Sequence, residues 1–454
     1  MNTKQLRQKI LDLAIRGKLA PQDPNDEPAS VLLERVRAEK EKLIKEGKIK
    51  RDKKDSAIIR STDKPRYEKL PKGWVLTSLG ELFNLQAGKF VQASGITAER
   101  YLNLYPCYGG NGLRGYVKSY NHDGEYPLIG RQGALCGNLN YATGKFYATE
   151  HAVVVECFAK TNPRWAFYFL DKMNLNQYAT ATAQPGLSVK TINEVSIFLP
   201  PLAEQHRIVS AIESAFAVID EIERNKTELQ SAVATTKQKI LSLAIRGKLV
   251  KQDPDDEAAS VLLERIRSER EKLISEGKLK RGKGDSSIVR SGDNPYYEKL
   301  PKGWAVCCLD EMLEYEQPTK YIVESTEYNE IFATPVLTAG KSFIIGYTDE
   351  VQGICTNLPV IIFDDFTTDS KFVDFKFKVK SSAMKILRTN HADIKYLFYF
   401  MQTIECNNTT HKRYWISDYS HRVIALPPFA EQQRIVTAIE AAFKQLDRIV
   451  ENLN

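Results

Sequence analysis

Leu199-Pro200-Pro201-Leu202-Ala203-Glu204-Gln205-His206-Arg207-Ile208-Val209 recurs almost unchanged as Leu426-Pro427-Pro428-Phe429-Ala430-Glu431-Gln432-Gln433-Arg434-Ile435-Val436, 227 positions further on. A longer repeat carries Lys9–Trp74 onto Lys239–Trp304 without a gap, at an offset of 230 and about three quarters identical. Its anchors are Ala14-Ile15-Arg16-Gly17-Lys18-Leu19 against Ala244-Ile245-Arg246-Gly247-Lys248-Leu249, and Leu70-Pro71-Lys72-Gly73-Trp74 against Leu300-Pro301-Lys302-Gly303-Trp304. Between the repeated blocks lie two inserts, 75–198 and 305–425, which share almost no identity. Each is the size of a small domain. Self-similarity at a fixed offset marks a chain built from copies of one unit, so the frame is a repeated structure whose contents differ.

The frame reads as a coil. Alternating steps of four and three residues from Ile208 pick out Ile212, Ala215, Ile219, Ile222, Lys226, Leu229, Val233, Thr236, Ile240 and Leu243. The C-terminal copy gives Ile435, Ile439, Ala442, Leu446, Ile449 and Leu453, and the N-terminus supplies Leu6, Ile10 and Leu13. A 3.5-residue period kept over about five heptads is a coiled-coil seam rather than one stripe on a globular core. A helix over 203–245 spans ~60 Å at about 1.5 Å per residue, and a Pro-Pro pair precedes each helix start, where proline is tolerated. Ala29–Glu46 reads as a second helix, capped by Ser30 or Asp26 and stopped at Gly47. The basic stretches 40–54 and 270–283 read as solvated helix ends, as docking arms or as phosphate contacts. The order of the blocks is that of a closed ring opened at the chain ends.

The expected fold class is α+β: two globular mixed α/β domains separated by a long antiparallel coiled coil, with pseudo-two-fold symmetry. The boundaries are 1–74 (helical scaffold repeat), 75–198 (first insert), 199–304 (central scaffold repeat with the long helix), 305–425 (second insert) and 426–454 (C-terminal helix of the coil).

Chemistry is conspicuous by what is missing. The 454 residues carry a formal charge of +7, which permits a nucleic-acid partner without requiring one. No apolar run approaches the ~20 residues that span a bilayer, and Met1-Asn2-Thr3-Lys4-Gln5 has no signal-peptide character. A cytoplasmic location, away from membranes, is expected. The seven cysteines form no C-x-x-C pair and read as free thiols. Gly340-Lys341-Ser342 approaches a phosphate loop, but Pro335 stands at its first glycine position. Both Pro-Pro pairs follow leucine, and Asn294-Pro295-Tyr296-Tyr297 has one proline, so the Asn-Pro-Pro-aromatic turn of an adenine methyltransferase is absent. Asp255 with Glu276-Gly277-Lys278 is a poor nuclease centre, because the frame copy has Asn25 instead. The six histidines suggest no triad. No catalytic residue, cofactor or metal site is expected in this chain.

The inserts offer groups that suit DNA. In the first, glycine-flanked loops present Tyr108, Gly110, Asn111 and Arg114, then Arg131 and Gln132, Thr149 and His151, and finally Gln184 and Lys190. Arg, Asn and Gln pair bidentately with purine edges, and glycine permits close backbone approach. The second insert offers Thr338 and Lys341, Thr367 and Thr368, a basic run through Lys371, Lys376, Lys378, Lys380 and Lys385, and Lys412, Arg413 and Tyr414. It is net acidic, so its lysines must gather on one face to serve DNA. A coiled-coil adaptor whose inserts bind protein explains the heptads, but not the polar-tipped loops.

With Leu-Pro-Lys-Gly-Trp before each insert, Leu-Pro-Pro-(Leu/Phe)-Ala-Glu-Gln-(His/Gln)-Arg-Ile-Val after it, and the tandem order, the chain resembles the specificity subunit of type I restriction-modification systems over essentially its whole length. The resemblance implies that each insert is a target recognition domain reading one half of a split, asymmetric DNA site. It also implies that the helices act as a ruler and dock two methyltransferase subunits, and that two motor-nuclease subunits join. Adenine methylation with S-adenosylmethionine, and cleavage with ATP and magnesium, would then belong to those partners.

Overall fold

The computed structural model describes residues 2–49, 70–133, 135–180, 185–277, 300–338, 340, 342–405 and 413–453. The chain divides into two compact units, Met1–Asn225 and Lys226–Asn454. Each contains one insert and the frame segments that flank it.

The first unit runs α1 (Thr3–Ile15), α2 (Ala29–Lys45), β1 (Val75–Ser78), α3 (Leu79–Leu82), β2 (Phe83–Ala87), β3 (Tyr105–Gly109), β4 (Gly112–Val117), β5 (His122–Gly130), β6 (Leu139–Ala148), β7 (Ala152–Cys157), α4 (Pro163–Met173), α5 (Val189–Asn193) and β8 (Ser196–Leu199). It closes with the first part of α6 (Leu202–Ile245). The rest of α6 opens the second unit. There follow α7 (Ala259–Ser275), β9 (Ala305–Cys308), α8 (Leu309–Met312), β10 (Glu314–Glu316), β11 (Thr334–Leu337), β12 (Ile344–Thr348), β13 (Val360–Asp364), β14 (Ser370–Val373), β15 (Lys378–Val379), β16 (Met384–Arg388), α9 (Ile394–Met401), α10 (Tyr414–Ser417), β17 (Val423–Leu426) and α11 (Phe429–Glu451).

The Glu, Gln and Arg of the repeated motif have the same task in each unit. The buried carboxylate of Glu204 accepts from Trp74 Nε1 at 2.9 Å, and that of Glu431 from Trp304 at 3.0 Å. Gln205 and Gln432 are wholly buried; their amides donate to Pro200 and Pro427 carbonyls. Arg207 pairs with Asp26, and Arg434 with Asp256, each at 2.5 Å. Asp26 is thereby committed to the frame and caps no helix. At the start of α2, Pro28 holds the capping position without a side-chain hydrogen bond, and Ala29 N donates to Gly73 O, so the expected Ser30 or Asp26 cap does not form. Gly17 and Gly247 turn left-handed at φ +62°, and a Cβ on either would meet the following proline, Pro71 or Pro301, at 2.8 Å.

Helices pair antiparallel inside each unit. Arg7 of α1 reaches Asp220 and lies 4.8 Å over the Phe216 ring. Lys237 of α6 pairs with Asp447 at 2.5 Å and lies 4.9 Å over Phe443 of α11. These are equivalent pairs in the repeat. Of the seam residues, Ile208, Ile212, Ile219, Val233, Ile435 and Ile439 are buried, and Ile240 and Leu446 half-buried. Ile222, Leu229 and Ile449 are exposed, contrary to the heptad reading. Ile222 sits where α1 begins, and the Lys237–Asp447 register leaves Leu229 past the last turn of α11. Towards the end of α6 the buried face moves to Leu241, Ala244 and Ile245 while Leu243 is exposed, as expected when a 3.6-residue helix drifts from a 3.5-residue period.

The inserts share a fold despite their unlike sequences. The first has a six-stranded sheet in the order β2-β7-β5-β6-β3-β4. The second has β10-β16-β13-β14 and β12-β11-β15: the same order, with the long strand β6 replaced by the short pair β14 and β15. Each insert is closed at its base by an antiparallel ribbon, Val75↔Leu199 through Ser78↔Ser196 and Ala305↔Leu426 through Cys308↔Val423. The ends of each insert are therefore adjacent. Frame and insert also share one core in each unit: Trp74, Ile208 and Ile212 with Trp165 and Phe169, and Trp304 and Ile435 with Phe363, Phe400 and Trp415.

Burial holds the Glu204 and Glu431 carboxyls above the usual carboxylate range, against the opposing pull of the tryptophan hydrogen bond and the nearby arginine. The folded frame thus binds these protons more tightly than the unfolded chain does. Its contribution to stability is full below the ordinary carboxylate value of about 4.3 and declines as pH rises through the raised values. A Glu204→Gln/Glu431→Gln double variant should flatten that decline in urea midpoints measured between ~pH 4 and 7. An unchanged slope would contradict this assignment.

Candidate nucleic-acid interface

Four loops of the first insert, far apart in sequence, are tied together by backbone hydrogen bonds. Thr149 N donates to Tyr108 O at 2.9 Å, Arg131 N to His151 O at 2.9 Å, Leu187 N to Arg131 O at 2.8 Å and Gly133 N to Pro185 O at 3.0 Å. The turn Gly109–Gly112 joins β3 to β4 at this junction. A Cβ on Gly130 would lie 1.9 Å from Gly110 O, so the two backbones touch directly.

Around this junction Asn111, Arg114 and Gln132 are exposed, while Gly110, Arg131 and His151 are half-buried. Arg131 Nη1 reaches Glu150 O at 3.3 Å, and His151 Nε2 lies 3.1 Å from Glu150 Oε1. Asn138 Nδ2 lies 3.4 Å from Asn111 Oδ1. Lys190 is exposed on the short α5. Two positions are less open than expected. Thr149 is wholly buried, because its backbone forms the junction and turns the side chain inward. Tyr108 packs edge-on against Phe146, and burial raises its phenol. Gln184 lies outside the described residues.

The second insert repeats three of these four junction bonds. Lys380 N donates to Leu337 O at 3.1 Å, Asp365 N to Ala383 O at 3.2 Å and Tyr414 N to Asp365 O at 2.9 Å. Arg131 therefore corresponds to Asp365, Thr149 to Lys380 and Leu187 to Tyr414. That correspondence explains why Tyr414 is buried at 1% exposure and not offered to a ligand: it plugs the place of the equally buried Leu187. Lys378 and Lys385 are also internal, paired with Glu350 at 2.5 Å and Asp365 at 3.3 Å. The basic run consequently does not form one face. Thr338 spends its hydroxyl on Ser342 O at 2.7 Å. Thr367 and Thr368 sit in the β13–β14 hairpin loop, where Thr367 N is held by Asp364 Oδ1 at 3.0 Å. Lys371 is half-buried on β14, whereas Lys380 and Arg413 are exposed beside the hairpin loop. Lys341 and Lys412 lie outside the described residues.

A set of docking residues escaped the sequence reading. Asn162 N and Asp393 N donate to the buried Gln205 and Gln432 at 3.0 and 2.8 Å. Arg164 and Lys395 pair with Glu213 and Glu440. Tyr168 and Tyr399 meet Phe216 and Phe443 edge-on, with ring centroids 5.9 Å apart in both cases. The signal was present as Asn162-Pro163-Arg164 with Phe167-Tyr168, against Asp393-Ile394-Lys395 with Phe398-Tyr399. Among the described residues there is no group of three or more His, Cys, Asp or Glu placed to hold a metal, and no helix long and apolar enough to cross a membrane.

Comparison with known proteins agrees with this architecture. The family described as type I restriction modification DNA specificity domain matches residues 71–230 and 301–454. The type I restriction enzyme EcoprrI specificity subunit of Escherichia coli is 44% identical over 167 residues, covering 37% of this chain and 41% of that protein. The EcoAI specificity subunit of Escherichia coli is 30% identical over 380 residues, covering 69% and 62%. The chain thus spans about two fifths to three fifths of the length of these curated relatives. A solved structure from a study of complex assembly and conformational transition of the type I R-M system shares the fold, with TM-score 0.54 and 15% identity over 85% of this chain and 94% of that one. Since the matched segments take in both closing motifs and both inserts, the chain belongs to the type I restriction-modification DNA specificity family.

Proposed function

We propose that this chain selects DNA for a type I restriction-modification complex, reading a split and asymmetric duplex target with one insert per half. Partner methyltransferase subunits then modify adenines there, and motor-nuclease subunits cleave unmodified DNA. S-adenosylmethionine, ATP and magnesium serve those partners, and α6 sets the unread spacer. One observation carries this reading: two inserts of one fold, joined to closely similar frames, expose different polar side chains around the same backbone junction, Asn111, Arg114 and Gln132 in the first and Lys380 and Arg413 in the second. Equivalent placement suits one kind of ligand, and different groups suit different sequences, since base edges are read by donor and acceptor pattern. Selection from a randomised duplex library by the full-length chain tests it. A two-part sequence with unlike halves and a fixed gap is expected. A palindrome, or enrichment without sequence preference, would overturn it.

A further inference from the structure

The junction of the first insert is unfinished in a way that its counterpart is not. Arg131 Nε, Asn140 Nδ2 and Glu150 Oε2 are buried without a hydrogen-bond partner at this one place. Asn140 stands beside the β3–β4 turn, where a Cβ on Gly112 would come within 2.8 Å of its Oδ1. Leaving a buried polar atom unpaired is costly, and each such atom calls for an explanation. The fold does not impose it. In the second insert the corresponding Asp365 is fully engaged, with Oδ1 accepting from Trp415 N at 2.9 Å and Oδ2 paired with Lys385.

The unpaired groups differ in kind. Arg131 offers donors, and Glu150, whose backbone carbonyl accepts from Arg131 Nη1 and whose Oε1 faces His151 Nε2, keeps Oε2 as an acceptor. A carboxylate is repelled by phosphate, so its place in a DNA-facing junction points to a base amine and not to the backbone. In the major groove guanine shows the O6 and N7 acceptors that a guanidinium takes bidentately, while its partner cytosine shows the N4 amine that a carboxylate accepts from. Adjacent donor and acceptor therefore match the two halves of one base pair. We propose that Arg131 and Glu150 together read a single G·C pair in the half-site of the first insert, Arg131 on the guanine and Glu150 on the cytosine.

This rests on the DNA-reading function proposed above, and the test separates the two. Full-length wild type, Arg131→Ala, Glu150→Ala and Glu150→Gln are each put through the randomised duplex selection. Both Arg131→Ala and Glu150→Ala should lose discrimination at the same G·C position of the same half by roughly tenfold or more. The other half should be unchanged, which shows that the chain is folded. Glu150→Gln keeps the side-chain shape and must alter preference at that position too. Variants that select the wild-type sequence would overturn the proposal. So would even weakening across the whole half in the Gln variant, because that is the mark of a backbone contact or of a lost fold. A wild type that selects no split sequence would instead overturn the DNA-reading function itself.

Discussion

Replacing Lys385 by methionine should destabilise the second insert by about 3–5 kcal/mol, the cost of leaving a buried carboxylate without its counter-ion. Lys385 and Asp365 are only 1% and 3% exposed, and no solvent can take over the role of either partner. Asp365 also holds two backbone groups of the following segment, Tyr414 N and Trp415 N, so its displacement would free α10 as well. Hydrogen exchange over residues 360–388 measures the effect. Protection should fall roughly a hundredfold or more while the first insert keeps its own. An Asp365→Asn/Lys385→Met double variant should recover much of the loss, because the amide oxygen still accepts from Trp415 and no charge remains buried. Equal protection in the single variant and wild type would show that the pair is not the brace described.

The second large effect falls on the first insert. In Gly130→Ala the new Cβ meets the Gly110 carbonyl oxygen at 1.9 Å, a backbone atom that no rotamer change can move aside. Gly130 cannot simply retreat, since its N–H donates to Asn138 O and its carbonyl accepts from Gly137 N. The β3–β4 turn must separate from Arg131, at about 1–3 kcal/mol and towards the upper end. Recognition of one half-site should be lost and that of the other retained, with exchange protection falling only in peptides around 105–133. Retained recognition of both halves would mean that direct contact of these two backbones is not required.

How much of this was legible depends on whether residues had to be kept or merely had to fit. The frame announced itself because Trp74, Glu204, Gln205, Arg207 and Asp26 each need one particular partner, and identity survives such constraints. The seam was legible in period but not in depth of burial: Ile222 and Leu229 obey the heptad yet lie where the opposite helix starts or ends, and Ile449 sits in the last turn of its own helix. The mixed α/β class of the inserts was expected, but their common strand order was illegible, because strand order is fixed by alternation of burial and by backbone junctions that many sequences satisfy. Equivalent positions such as Leu187 and Tyr414 share burial and little else. Residue type also misled where it stood in for exposure. Lys378 and Lys385 read as surface charges, as lysines usually are, and are instead internal partners of Glu350 and Asp365. The docking residues 162–168 and 393–399 resemble one another well enough to be found, but at an offset of 231 that neither frame repeat shares.

The claim on which all of this turns is that the inserts read DNA independently while the frame is indifferent to which insert it holds. Adjacent insert ends at the β9–β17 ribbon, and docking by an Asx, a basic residue and a tyrosine, make the exchange of 305–425 structurally mild. The most direct measurement is therefore long-read mapping of methylated adenines in cells carrying a chain whose residues 305–425 are replaced by the corresponding insert of another family member, with those docking residues kept. One half of the methylated target should change, and the other half and the spacer should remain as they were. A change in both halves, or in neither, would contradict the account.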